Sequence, residues 1–239
     1  MLFTIITVCY NSEKTIERTI QSVLHQTCQD YEYIIVDGAS TDGTMSIVRK
    51  YEPLFRGKLK CISEPDQGIY DAMNKGIHEA GGKLIGIVNS DDYYEPDALE
   101  IIQRTYCGEK YQVLYGLLRT VQNGKEVMVY LKNHENLERD MIAHPSCFIT
   151  KATYDEYGVY SLKYPYSADY ELMLRIRKYP EVKFQEIYHI ISNFSLDGAS
   201  GSVKAYRDTM RLKKEYHLIS DGSFRKKMLK SWFAMKLRR

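Results

Sequence analysis

Four short stretches hold side chains that could bind a charged ligand. They are Tyr10-Asn11-Ser12, Asp37, Glu64-Pro65-Asp66-Gln67-Gly68 and Asn89-Ser90-Asp91-Asp92. The carboxylates and amides there suit a ligand with hydrogen-bonding groups, but they would repel a bare diphosphate. The two common backbone cradles for phosphate are missing, since no GxGxxG follows the first apolar run and no GxxxxGK[ST] occurs in the chain. A hard divalent cation, Mg²⁺ or Mn²⁺, resolves the conflict by taking carboxylate on one side and phosphate oxygens on the other. Asn89-Ser90-Asp91-Asp92 is the best candidate for its ligand. The competing role for this loop is to cap a helix near Pro96.

These residues converge only if the segments before them are parallel strands. Each stretch closes an apolar or β-branched run: Phe3 to Tyr10, Tyr31 to Asp37, Lys58 to Ser63 and Lys83 to Val88. Helical spacing fills the gaps, with Ile16, Ile20, Val23 and Leu24 after a predicted N-cap at Ser12, and Ala72, Met73, Gly76 and Ile77 later. Asp42-Gly43-Thr44 reads as a helix start, Gly81-Gly82 as a helix stop, and Pro96 as a first-turn proline. Alternating strand and helix imply βαβ units, and ligands of such sheets bind outside the carboxyl ends of the strands. Farther on, Val113 to Val121, Asn123-Gly124 and Glu126 to Leu131 predict a hairpin with a type I′ turn. Ser167 and Ser202 each stand where an N-cap would start another helix. The expected fold is α/β, a mainly parallel central sheet with flanking helices, a β-hairpin insertion and a C-terminal helical extension.

A chain of 239 residues suits one such unit, which should bury roughly 70% of its unfolded surface. Its 33 basic and 31 acidic side chains nearly cancel, so no global field favours nucleic acid as a partner. Cys9, Cys28, Cys61, Cys107 and Cys147 show no CxxC spacing and are expected to be reduced thiols in a cytoplasmic protein. The N-terminal apolar run passes into polar sequence after Tyr10, unlike a signal peptide or membrane span.

The order and spacing of four segments resemble family 2 glycosyltransferases, an inverting family built on the GT-A fold. ITVCYNSEKTIERTIQSVLHQ resembles its opening strand and helix, and YEYIIVDGASTDGT its second strand and turn. SEPDQGIYDAMNKGI with LIGIVNSDDYYEPDAL resembles the third loop and metal motif, and YSADYELMLRI the segment bearing the base. The resemblance, of the type that builds bacterial surface polysaccharides, implies a catalytic domain over residues 1–200 and a helical, basic extension over 201–239. It implies transfer of a hexosyl or N-acetylhexosaminyl group from a nucleotide sugar, UDP-linked, to a glycan or lipid-linked acceptor. Tyr10 and Asp37 would hold the base, with Thr7, Asp66, Asn74, Asn89 and Ser90 completing the nucleotide-sugar site and Asp91 binding the metal. Departures from the family are Val8 for a proline, Asn89 for the first acid of DxD, and Met73 for an arginine, which leaves diphosphate charge to the metal and Lys75.

Inverting transfer needs a base that takes the acceptor proton. Asp169, at a helix start, matches the aspartate of the family's ED motif, although Ala168 replaces the glutamate; in isolation it would read as a charge favoured by the helix dipole. His144 stands where relatives line the acceptor cleft and is expected to contact acceptor or diphosphate. The turn Asp197-Gly198-Ala199-Ser200-Gly201 reads as a lid over the donor. In FRKKMLKSWFAMKLRR, basic and apolar residues mix with no acid. That composition suits a helix lying on an anionic membrane at the inner face, or a helix docked on the core with a solvated basic side. Two rivals stand beside the transferase: a nucleotidyltransferase, which would carry a Gly-rich basic loop where CYNSEKT stands, and a non-catalytic nucleotide-sugar-binding or scaffold subunit.

Overall fold

β1 (Phe3–Cys9), β2 (Tyr31–Asp37), β3 (Leu59–Ser63) and β4 (Leu84–Ile87) form a parallel half-sheet in the order β3-β2-β1-β4. In the computed structural model, which describes residues 1–196 and 202–237 with side chains through residue 232, β1 is buried along its whole length. Burial on both faces is why FTIITVC and YEYIIVD read as continuous apolar runs and not as alternating ones. On one face α1 (Ile16–Leu24) and α2 (Thr44–Tyr51) pack Ile16, Ile20, Val23 and Val48 against Ile5, Tyr33 and Ile35. On the other, α3 (Ile69–Glu79) packs Met73 and Ile77 against Ile6, Ile34 and Val36.

Past β4 the sheet becomes mixed. β5 (Tyr93–Tyr94) and α4 (Ala98–Thr105) lead to the hairpin of β6 (Gln112–Gln122) and β7 (Lys125–Tyr130). Its turn has positive φ at Asn123 (50°) and Gly124 (73°), the expected type I′ signature. β8 (Cys147–Thr150) runs antiparallel between β4 and β6, and the 13-residue β9 (Lys183–Ser195) runs parallel to β6 and ends beside β5. Neither strand was marked by the sequence pattern. α5 (Lys151–Tyr157), α6 (Ala168–Ile176), α7 (Val203–Glu215) and α8 (Asp221–Leu237) complete the chain. Leu212 of α7 is buried in the same core as α3 and α6, so the extension expected from residue 201 begins with a helix packed into the main body.

Local details depart from the sequence reading. Thr15, not Ser12, caps α1; the Ser12 carbonyl accepts from Thr15 and Ile16, and its hydroxyl lies 2.8 Å from that of Ser90. Pro96 lies just outside α4, whose cap is Asp97. Gly82 does more than stop a helix, because a Cβ there would stand 2.5 Å from the backbone of Phe3 and Thr4. The Ser202 cap is present, its hydroxyl accepting from the Ala205 N–H at 3.2 Å. The turn from Asp197 to Gly201 lies outside the described residues. Among the described residues no helix is long and apolar enough to cross a membrane.

Candidate active site

The ends of β1, β2 and β3 bring Tyr10, Gly38 and Asp66 together. A Cβ on Gly38 would collide with the Asp66 carboxylate and stand 3.5 Å from the Tyr10 ring, so the glycine gives an acid and an aromatic ring a shared slot at the strand ends. Tyr10 is 62% exposed and has room to stack on a flat ligand ring. Asp66 keeps one oxygen on the Gly68 N–H at 2.8 Å. Asp37 lies beneath this slot with no exposed surface, and its oxygens accept from the Ser40 N–H and hydroxyl, the Ser63 hydroxyl at 2.7 Å and the Cys9 thiol at 3.7 Å. A carboxylate offers about four lone-pair sites, so a ligand N–H reaches Asp37 only if the Ser40 hydroxyl turns away. The Ser40 loop is itself strained, with Ala39 at φ 63°.

Two residues expected at the donor are not brought to this surface. Thr7 is fully buried, its hydroxyl accepting from Tyr33 Oη at 2.9 Å. Asn74 donates to the Tyr160 carbonyl and accepts the Tyr160 N–H, both at 2.9 Å, so its amide ties α3 to the segment before α6. Lys75 is likewise engaged, 2.8 Å from Glu64 and 3.8 Å from Asp71.

At the end of β4 the two adjacent acids have opposite surroundings. Asp92 has no exposed surface; it accepts from the Ser195 N–H at 2.9 Å and the Asn89 amide at 3.3 Å, and burial together with the Asp91 charge pushes its pKa up to about 8. These contacts make it an anchor between this loop and β9. Among the described residues Asn89 Oδ1 is buried and has no hydrogen-bond partner. Turning the amide over would let that oxygen accept from a protonated Asp92. Asp91 is half-buried, and burial raises its carboxyl above the ordinary range while Arg18 pulls it down. Among the described residues no side chain hydrogen-bonds its carboxylate. Arg18 Nη2 instead donates to the Asp91 carbonyl at 2.6 Å, and its guanidinium lies 4.5 Å from the centre of the Tyr93 ring.

Among the described residues no three His, Cys, Asp or Glu side chains are grouped to hold a metal. Mg²⁺ and Mn²⁺ do not require such a cage, since they retain water and phosphate ligands around one or two carboxylates. A partly desolvated Asp91 whose carboxylate takes no side-chain hydrogen bond among the described residues fits a cation that arrives with a diphosphate. Arg18 is a cation that the sequence reading missed, and its place in the first turn of α1 was the one available signal.

Asp169 sits in the first turn of α6. Its Oδ1 accepts from Tyr70 Oη at 2.8 Å and from the Tyr170 N–H at 2.9 Å, and among the described residues Oδ2 accepts no hydrogen bond. Tyr70 lies four residues after Asp66, in the first turn of α3, so one short segment joins the slot to this carboxylate. Behind Tyr70 stand Tyr160, with ring centres 5.4 Å apart, and His144, whose Nε2 lies 2.6 Å from Tyr160 Oη. His144 is 8% exposed, and burial pushes its pKa down despite the Asp169 charge. The expected acceptor contact is thus a neutral imidazole in the layer supporting Tyr70.

The family model described as Glycosyl transferase family 2 matches residues 4–208. A PGL/p-HBAD biosynthesis glycosyltransferase of Mycobacterium bovis (strain BCG / Pasteur 1173P2) is 27% identical over 198 residues, 81% of this chain and 77% of the relative. The chondroitin synthase of Pasteurella multocida (strain Pm70) is 28% identical over 231 residues, 93% of this chain but 23% of that longer protein. Among solved structures, S. aureus TarS 1-349 in complex with UDP-GlcNAc superposes with a TM-score of 0.71 at 23% identity, covering 92% of this chain and 68% of that one. The mannosyltransferase PcManGT from Pyrobaculum calidifontis, in complex with GDP-Man and Mn2+, gives 0.68 at 16% identity, covering 92% and 65%. At such identities the structures show a shared GT-A type fold, while the match over most of the chain shows more: this protein belongs to glycosyl transferase family 2.

Proposed function

We propose that this glycosyltransferase moves a hexosyl or N-acetylhexosaminyl group from a UDP-sugar to a hydroxyl of a glycan or lipid-linked acceptor, with Asp169 as base. The observation that carries this reading is the Tyr70–Asp169 hydrogen bond at 2.8 Å, which holds one carboxylate oxygen from the helix that follows Asp66 and leaves the other to take a proton. Tyr10 and Asp66 would flank the nucleotide base, with Asp37 beneath them fixing the loop. Asn89 and Ser90 would shape the loop at the ribose and diphosphate, and Asp91 would hold Mg²⁺ or Mn²⁺. Such an ion, when bound, neutralises charge developing on the leaving diphosphate. Arg18 is positioned by the Asp91 carbonyl to add to that neutralisation. Direct displacement by the acceptor oxygen inverts the anomeric centre and needs no covalent intermediate.

The TarS complex with UDP-GlcNAc supports a UDP-sugar as donor, and the Mn2+ of the mannosyltransferase complex supports a metal. We place the enzyme on the cytoplasmic side, with α8 touching the inner membrane surface. UDP binding by calorimetry tests the metal assignment: it should tighten with Mn²⁺, and Asp91→Ala should abolish the increment and slow transfer by on the order of 10²–10³-fold. Equal UDP affinity with metal and with chelator would overturn that assignment. Binding of UDP-sugar without turnover in any metal would favour the scaffold reading.

A further inference from the structure

Where α7, α8 and the segment before α6 meet, the surface opens into a cleft of about 450 Å³ lined by Tyr166, Lys204, Arg207, Asp208, Arg211 and Trp232. Lys204, Arg207 and Arg211 recur at i, i+3 and i+7, so one face of α7 carries all three cations. The single acid among the six is already engaged: Asp208 is 5% exposed and accepts the Tyr166 N–H at 2.9 Å. Three cations against one acid leave the lining net positive, although the whole chain is nearly neutral. Tyr166 and Trp232 are 46% and 42% exposed and line the same cleft. Carbohydrates stack their C–H faces on such rings, and clustered cations recognise a carboxylate or phosphate.

The cleft adjoins the base. Tyr166 precedes Asp169 by three residues, and the Ser167 hydroxyl lies 2.8 Å from that of Thr209 on α7, which fixes the cleft wall to the start of α6. Asp208 and Asp169 also both act electrostatically on Tyr70, the tyrosine that holds the base. Resting on the reading of Asp169 as base, we propose that this cleft is an acceptor subsite that selects an anionic glycan, one bearing a sugar carboxylate or phosphate near the attacking hydroxyl. A membrane is the weaker fit, because these cations and rings line a concavity, whereas α8 presents exposed Arg225, Lys226, Leu229 and Lys230 elsewhere.

The test is calorimetry on the full chain with UDP and Mn²⁺, using three probes: a glucuronate-ended oligosaccharide, a glycerol-phosphate oligomer and a neutral glucose oligosaccharide. At least one anionic probe should bind tenfold or more tighter than the neutral one, and the two anions identify whether the recognised group is a carboxylate or a phosphate. The double variant Lys204→Gln/Arg211→Gln should lose that preference, on the order of tenfold for each cation. Both residues are exposed, so its melting temperature should match the parent, and Arg211→Lys should keep part of the preference. Trp232→Ala should weaken neutral and anionic probes alike. Equal binding of all three probes, or a preference that survives the double variant, overturns the subsite. Loss of phosphatidylglycerol-vesicle binding in the double variant, with neither sugar anion competing, also overturns it and makes the cleft a membrane contact. UDP affinity is measured in parallel: its absence in the parent protein sinks the donor reading, while its presence without an anion preference sinks the subsite alone.

Discussion

Asp37 in the parallel half and Asp169 in the mixed half are both acids expected to do chemistry, yet the fold treats them differently. Asp37 is surrounded by donors from its own loop and from β1 and β3, so it organises the strand ends. Asp169 is held by a hydroxyl on one oxygen only and keeps the other available. The difference teaches that type and position mark an acid as a candidate, whereas the number of lone pairs left open decides what it can do. Asp91 and Asp92 repeat the contrast between adjacent residues.

The largest effect should come from the open acid. Asp169→Asn is expected to slow transfer by on the order of 10²–10⁴-fold while UDP affinity stays near that of the parent, because the amide keeps the Tyr70 contact and loses only the ability to accept a proton. Single-turnover transfer alongside UDP titration measures both. A variant that transfers at the parental rate would end the case for this base.

The saturated acid should be costly to remove for the opposite reason. Asp37→Ala strips the Ser40 loop, the Ser63 hydroxyl and the buried Cys9 thiol of their shared acceptor and should lower stability by about 1–3 kcal/mol in urea unfolding. Asp66→Ala, on the partly exposed side of the same slot, should stay within about 1 kcal/mol and weaken UDP binding instead. If the two substitutions cost the same stability, the distinction between organising and binding acids at this strand edge is lost.

The parallel half was legible because its signals are local. Strands buried on both faces show as unbroken apolar runs, and the loops after them are short. β9 was not legible: KFQEIYHIISNFS begins among polar residues, and its partner β6 lies far back in the chain. The site divides in the same way. Ser167-Ala168-Asp169 announces a helix start, but the Tyr70 hydroxyl that holds the acid comes from 99 residues away. No local pattern could show that Ser40 and Ser63 fill Asp37, or that Asn74 is spent on the backbone of Tyr160. Thr7 misleads for a related reason, since a β-branched polar residue near a strand end looks the same whether its hydroxyl meets ligand or Tyr33.

The support layer behind Asp169 should show a pH signature opposite in sign to that of Asp92, whose raised pKa costs stability as pH rises. Burial holds His144 below the ordinary histidine pKa. The unfolded chain then binds the extra proton first, so this contribution is intact above about pH 6.5 and is lost as pH falls through 6.5 toward the folded value. His144→Gln should make stability less steep between pH 7.5 and 5.5 by up to about one proton, read from urea midpoints across that range. An unchanged slope would mean that the imidazole becomes charged in place and that the layer is more open than its geometry implies.

The smallest effect is expected at α8, where docking and exposure coexist on one helix. Phe224 and Met228 are partly buried and Ser231 is buried, and Lys214 of α7 reaches Asp221 at 2.6 Å and lies 5.1 Å from the Phe224 ring centre. Deleting everything from Ser223 onward therefore strips a packed face from α7 along with the basic surface, and would confuse lost folding with lost attraction. Lys226→Gln/Lys230→Gln separates them, because both lysines are exposed and neither lines the cleft beside Asp169. Each cation near an anionic surface contributes about 1 kcal/mol, so co-sedimentation with phosphatidylglycerol liposomes should weaken by roughly tenfold or more at low salt. The loss should shrink as salt screens the surface. UDP binding and melting temperature should stay at parental values, since the donor edge ends at Asp92 and the docked face is untouched. Parental liposome binding by this variant would leave α8 as a docked helix with a solvated basic side, and the membrane-borne acceptor would lose its main support.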